Sequence, residues 1–206
     1  PFAVRDCALV AIATGKKAQN LRELKDQLLV IHPASVYNHF WGGLLKPRFD
    51  DPQFNNDFAI WSHYKLNDDV LAERLAVIDP TDFDDLEDLR QEVVEVIEQR
   101  LEEIQHPTWV SSDSQFHFIR SQIVVFDTGW RIEAPEHLPG LVPKMSVSSI
   151  FYHVIDARRR YPKGIDDFVA WIGSFGDRYK DDCKRLASID PYFMTLTELK
   201  RKLVAV

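Results

Sequence analysis

A chain of 206 residues has room for one or two domains, and 45% apolar with 12% aromatic residues is the content of a packed protein, not a disordered one. A net charge of −7 speaks against a general nucleic-acid binder, which needs a basic face for phosphate. The longest apolar stretch, about Cys7–Ala13, falls far short of the roughly 20 residues that span a bilayer, so no membrane partner is expected.

Phe2–Thr14 is β-branched and aromatic with partial alternation, which predicts one or two short strands broken by Thr14-Gly15. Asn20 and Glu23 have capping-box spacing, and Leu21, Leu24, Leu28 and Ile31 share one helical face. A short helix starting at Ser35 follows, carrying Tyr37 and His39. The next begins at Asn56-Asp57 and carries Trp61, and another stops before Asp79-Pro80. Asp85–Ile104 reads as a long acidic helix with a solvated face. Residues 106–115 are polar and interrupted, as a linker is.

The series then recurs. A shift of 114 brings Phe2 onto Phe116, Thr14-Gly15 onto Thr128-Gly129, Leu24 onto Leu138, Ser35 onto Ser149 and His39 onto His153. A shift of 110 aligns Asp57–Trp61 with Asp167–Trp171, and one of 111 aligns Arg74–Pro80 with Arg185–Pro191 in six of seven letters. Such ordered matches predict an internal duplication, residues 1–105 and 116–206. The expected fold is α+β and mostly helical: a short-strand-plus-helices unit, twice, related by a pseudo-two-fold. Pro139 and Gly140 oppose a regular helix where the first copy has its leucine-rich one. Charge is not duplicated: residues 1–105 hold 20 acids and 11 bases, residues 106–206 hold 12 and 14.

The Thr-Gly turn, the leucine-rich helix, Ser35–Phe40, Asn56–Trp61 and Ile78-Asp79-Pro80, in this order, resemble an uncharacterised bacterial family known only as a domain of unknown function. The likeness covers most of residues 2–103 and, more weakly, 116–206; the second copy departs at the leucine-rich helix and at Asp166, which stands where Asn56 does. The resemblance implies no activity, cofactor or catalytic residue.

Candidate sites are few. His39 and His153 each sit one turn after a serine beside aromatics, among them Tyr37 and Tyr152; they read either as a ligand site or as helix histidines bonded to the backbone. Asp57 and Asp167 precede Trp61 and Trp171 by four residues, and the plainer reading is helix-start electrostatics beside two core tryptophans. His39, Asp57 and His63 are the only set worth weighing as metal ligands, but no metal motif is present and no metal or cofactor is expected. Ala13–Ala18 lacks a full phosphate-loop pattern, and no nucleophile motif appears. Basic residues follow both histidines: Lys46 and Arg48, then Arg158, Arg159, Arg160 and Lys163. The expectation is a cytoplasmic, non-catalytic binding or regulatory module. Its ligand-binding residues would be His39, Tyr37, His153, Tyr152, Arg158, Arg159 and Arg160, for a small anionic or polyhydroxyl ligand or a protein partner. The alternative is an enzyme acting on a sugar or phosphorylated small molecule. The absence of a visible leader in Pro1–Asp6 and two unpaired cysteines, Cys7 and Cys183, underlie the cytoplasmic expectation.

Overall fold

The computed structural model describes residues 1–46, 53–104, 114–161 and 164–205, so most of the expected linker, with Arg48 and Lys163, lies outside the described residues. The fold is α+β and mostly helical. Its two strands, β1 (Phe2–Ala18) and β2 (Phe116–Ile132), pair in one antiparallel ribbon. They are not short, since each runs for 17 residues, straight through the Thr-Gly pair expected to end it. Gly15 and Gly129 take φ values of 75° and 76°, which bend a strand without ending it, as a bulge glycine does. Thr14 and Thr128 hold the bends. Their hydroxyls accept from the amides of Lys16 (3.1 Å) and Trp130 (3.2 Å) and donate to the carbonyls of Phe118 and Val4, both at 2.6 Å.

Helix starts follow side-chain capping. Asn20 caps α1 (Leu21–Leu28) by accepting from the Glu23 amide, and Leu21, Leu24 and Leu28 are buried. The next helix, α2 (Pro33–Trp41), begins before Ser35: His32 accepts from the Ala34 amide and Pro33 takes the first turn. Ser35 lies inside the helix, buried, donating to the Ile119 carbonyl at 2.8 Å. Asn56, Asp68 and Asp85 cap α3 (Asp57–Leu66), α4 (Asp69–Ala76) and α5 (Leu86–Glu103). After β2, Pro135–Lys144 is irregular, with only the four-residue α6 (Leu138–Leu141) as α-helix. Ser146 caps α7 (Val147–Ile150), which continues as a π turn over Phe151–Ile155 and a 3-10 turn over Asp156–Arg159. Then come α8 (Asp167–Gly173), capped by Asp166, α9 (Lys180–Ala187) and α10 (Leu196–Val204).

The chain divides into two compact units. The N unit is Val10–Gln122; the C unit is Pro1–Leu9 with Ile123–Val206. Each unit takes a strand segment from the far half of the sequence: Phe116–Gln122 lies in the N unit and Pro1–Leu9 in the C unit. In the N unit α5 packs against α1, α2 and α4, around Leu24, Phe40, Phe58, Leu71, Ile97 and Phe118. In the C unit α10 packs against α6 and α7, around Val4, Ile150, Phe151, Phe168, Tyr192 and Leu199. No described helix is long and apolar enough to cross a membrane.

Candidate functional site

Each unit joins a helix histidine, a helix-start aspartate and a strand amide. In the N unit, His39 lies in the last turn of α2 with 3% of its side chain exposed, and its Nδ1 is 2.8 Å from Asp57 Oδ2. The Ile119 amide of β2 donates to His39 Nε2 at 3.2 Å. In the C unit, His153 lies in the π turn, its Nδ1 is 2.6 Å from Asp167 Oδ2, and the Arg5 amide of β1 donates to its Nε2 at 2.9 Å. Aromatic rings pack the same way in both. Phe116 lies 4.7 Å from His39 and stacks on Phe58; Phe2 lies 4.7 Å from His153 and stacks on Phe168.

The hydrogen bonds assign the roles of the ring nitrogens. A nitrogen that accepts from a backbone N–H carries no proton, so Nε2 is bare and Nδ1 holds the proton it donates to the carboxylate. Both nitrogens of each imidazole are used within the protein. They act as clamps that tie the start of a strand to two helices. Hydrogen bonds to a charged group contribute about 1.5–3 kcal/mol each.

The other expected site residues are also engaged. Tyr37 and Tyr152 are buried, and the Arg160 guanidinium lies 4.1 Å over the Tyr152 ring. Arg158 donates to the Ile189 carbonyl at 3.0 Å and Arg159 to Asp156 at 2.6 Å. Arg160 reaches Asp167 at 2.9 Å, the Tyr152 carbonyl at 2.9 Å and Asp156 at 3.3 Å. Asp156, which is 1% exposed, went unrecognised in the sequence, although it precedes Arg159 and Arg160 by three and four residues, the spacing of ion pairs on one helical face. His63 does not join His39 and Asp57; it bonds Asp69 at 2.6 Å. No group of three or more metal-ligand side chains converges among the described residues. Asp79 and Asp190 cap the turns that follow them, accepting from the amides of Thr81 and Tyr192 at 2.8 Å. Trp61 is core, with its indole N–H donating to the Ser114 carbonyl at 3.0 Å, whereas Trp171 is only half-buried, against Phe2 and Phe175.

The carboxyls of the C unit are shifted by these surroundings. Burial works to raise Asp167, but hydrogen bonds from His153 and then Arg160 outweigh it and hold the carboxyl below its usual range. At Asp166 burial prevails over the Val169 amide, and the carboxyl is pushed up to about 6. Burial, and then the Asp156 and Asp6 carboxylates, push the Cys7 thiol up to about 12, so it is no nucleophile at neutral pH.

Comparison with other proteins gives a family and a fold. The profile of a family of unknown function, DUF5752, matches residues 1–206. The structure of OrfY from Thermoproteus tenax is similar, with a TM-score of 0.85 and 26% sequence identity over 99% of this chain and 92% of that one. No curated protein matches the chain.

Proposed function

Since the chain belongs to the DUF5752 family of unknown function, we propose its role from its own geometry: a cytoplasmic, non-catalytic binding or regulatory module made of two related copies, 1–105 and 116–206, joined by 106–115 and related by a pseudo-two-fold. The duplication is supported by the recurrence of one contact set at residues 114 apart: Phe2 and Phe116, Thr14 and Thr128, Gly15 and Gly129, His39 and His153. It is supported too by the two heptapeptides at Arg74 and Arg185, each of which closes a helix, α4 and α9.

The observation that carries the non-catalytic reading is the use of all four imidazole nitrogens. An enzyme working through His39 or His153 needs a ring nitrogen free for its substrate, and here each one bonds a strand amide or a carboxylate. The module binds its small anionic or polyhydroxyl ligand, or its protein partner, with the clamps as scaffold. Arg159, whose side chain is 44% exposed, is the arginine of the basic segment best placed to reach an anion.

The test pairs His39→Gln/His153→Gln with native mass spectrometry, thermal denaturation and turnover assays on a panel of sugars and sugar phosphates. The expected result is a lowered midpoint, faster hydrogen exchange at the amides of Arg5 and Ile119, and no turnover by either protein. Turnover by the wild type that the double variant loses at an unchanged midpoint would overturn the reading and make the histidines catalytic.

A further inference from the structure

The caps of α3 and α8 correspond at a shift of 110, yet they are different groups, Asn56 and Asp166. Both are buried, 1% and 2% exposed, and each turns one side-chain oxygen to its own helix. Asn56 accepts from the Ala59 amide at 2.9 Å, and Asp166 from the Val169 amide at 2.8 Å. The second polar atom of Asn56 is a nitrogen, which donates to the Leu75 carbonyl in the last turn of α4 at 2.9 Å. That bond ties the start of α3 to the end of the helix packed on it. In Asp166 the second polar atom is an oxygen. A bare carboxylate oxygen opposite a carbonyl sets acceptor against acceptor, and a bond forms only if the carboxyl carries a proton.

The surroundings of Asp166 favour that proton. The groups that bear on it are Arg158 from the 3-10 turn, Asp167 on its own helix and Cys183 on α9. Arg158 attracts the carboxylate but donates its Nη2 to the Ile189 carbonyl at 3.0 Å. Asp167 repels a second negative charge beside it and is bonded to His153 of the π turn and to Arg160. Cys183, with its Sγ 3.9 Å from the Val169 carbonyl, is a thiol that burial raises. Other charges on the neighbouring elements have partners of their own: Asp156 with Arg159 and Arg160, Arg178 with Glu136, Lys184 with Asp181 and Arg185 with Asp182. Burial outweighs Arg158 and the capped amides, and the carboxyl rises to about 6. Its proton is thus held about a hundredfold more tightly than that of an ordinary aspartate.

We propose that Asp166 is a proton-operated catch between α8 and α9. With its proton, the carboxyl donates to the Leu186 carbonyl in the last turn of α9, as Asn56 does to Leu75, and ties the packed pair. Without it, two acceptors face each other and the tie opens. The catch is closed in mild acid and opens as pH rises through about 6, whereas the amide of Asn56 keeps the N unit tied at every pH. The correspondence of the two copies underlies the proposal, but neither histidine takes part, so its failure would leave the clamp reading untouched.

The test is a titration of the full chain by NMR from about pH 4 to pH 8. It follows the Asp166 carboxyl carbon and the amide nitrogen of Ala187, which shares a peptide group with the Leu186 carbonyl. The two signals should move together with a midpoint at about 6. In Asp166→Asn the Ala187 nitrogen should stay near its acid-side position throughout, because an amide donates at every pH. A carboxyl midpoint below about 5 would overturn the proposal. So would an Ala187 nitrogen that does not follow the carboxyl, or one that still titrates with the same midpoint in Asp166→Asn.

Discussion

In the N unit, Asp57 receives His39 and keeps 36% of its side chain exposed; in the C unit, Asp167 receives both His153 and Arg160 and keeps 8%. The clamp is the same, but its insulation differs. A carboxylate open to water is solvated whether or not its partner is present. One withdrawn from water needs further donors, because burying an unpaired charge costs several kcal/mol. The C unit supplies them from the turn after its histidine: Arg160 stands at the position of Lys46, and Asp156, at the position of Gly42, holds Arg159 and Arg160 in place. Two arginines of the basic segment, Arg159 and Arg160, thus pair with the C unit's own buried carboxylates, while Arg159 keeps 44% of its side chain exposed.

The comparison can be broken most forcefully at the tryptophans. Trp61→Ala removes a buried indole and should cost about 3–5 kcal/mol; Trp171→Ala removes a half-buried one and should cost about 1–2 kcal/mol. Chemical denaturation measures both, and equal losses would mean that the two sites are equally packed. At the clamps, His153→Gln leaves a buried carboxylate short of a donor and should cost about 3 kcal/mol, while His39→Gln should cost about 1–2 kcal/mol. A larger loss at His39 would refute the link between burial and dependence on the donor.

The pH dependence sharpens the contrast at Arg160. Asp167 is depressed in the folded chain, so its contribution to stability is present above its unfolded value near 4 and is lost as pH falls through the folded value. Arg160→Met takes away one of the lowering partners. The acid-side loss should then begin at higher pH, visible in melts between about pH 7 and pH 3. An unchanged acid limb would assign the depression to His153 alone.

A smaller effect of opposite sign is expected at the cap of α8. Asp166 is raised to about 6, so the folded chain binds a proton that the unfolded chain releases between about pH 4 and pH 6. Its relative contribution is full below about pH 4 and is lost as pH rises through about 6. Asn56, its counterpart, has no charge to bury, and its amide donates to the Leu75 carbonyl at 2.9 Å. Asp166→Asn should therefore stabilise the protein by about 1–2 kcal/mol at pH 8 and leave it nearly unchanged at pH 4. A gain that does not vary with pH would exclude ionisation as the cause. The smallest effect should be symmetrical. Gly15→Ala and Gly129→Ala each force a β-carbon into a left-handed backbone, at about 1 kcal/mol, with open space around both.

Local chemistry was legible in the letters. Asn20 and Asn56 announced helix starts because a short polar side chain satisfies an amide two or three residues on, and that partner is set by sequence distance alone. Pro139 and Gly140 announced the irregular segment for a reason equally local. Ser35 misled because His32, an unusual cap, accepts the amide instead, and the serine hydroxyl is used by β2. The pairs His39 with His153 and Asp57 with Asp167 were visible as recurrences, but their bonding was not.

The partners of each histidine come from two distant places: an aspartate 18 or 14 residues on, and a strand amide 80 residues after or 148 before. Sequence fixed which side chains could donate and accept. Only tertiary structure decided that Phe2 and Arg5 serve the helices of the second half, and Phe116 and Ile119 those of the first. The reason is that each strand is divided between the units: β1 passes from the C unit to the N unit after Leu9, and β2 from the N unit to the C unit after Gln122. The amides and rings at the start of each strand therefore meet helices that lie far from them in the sequence.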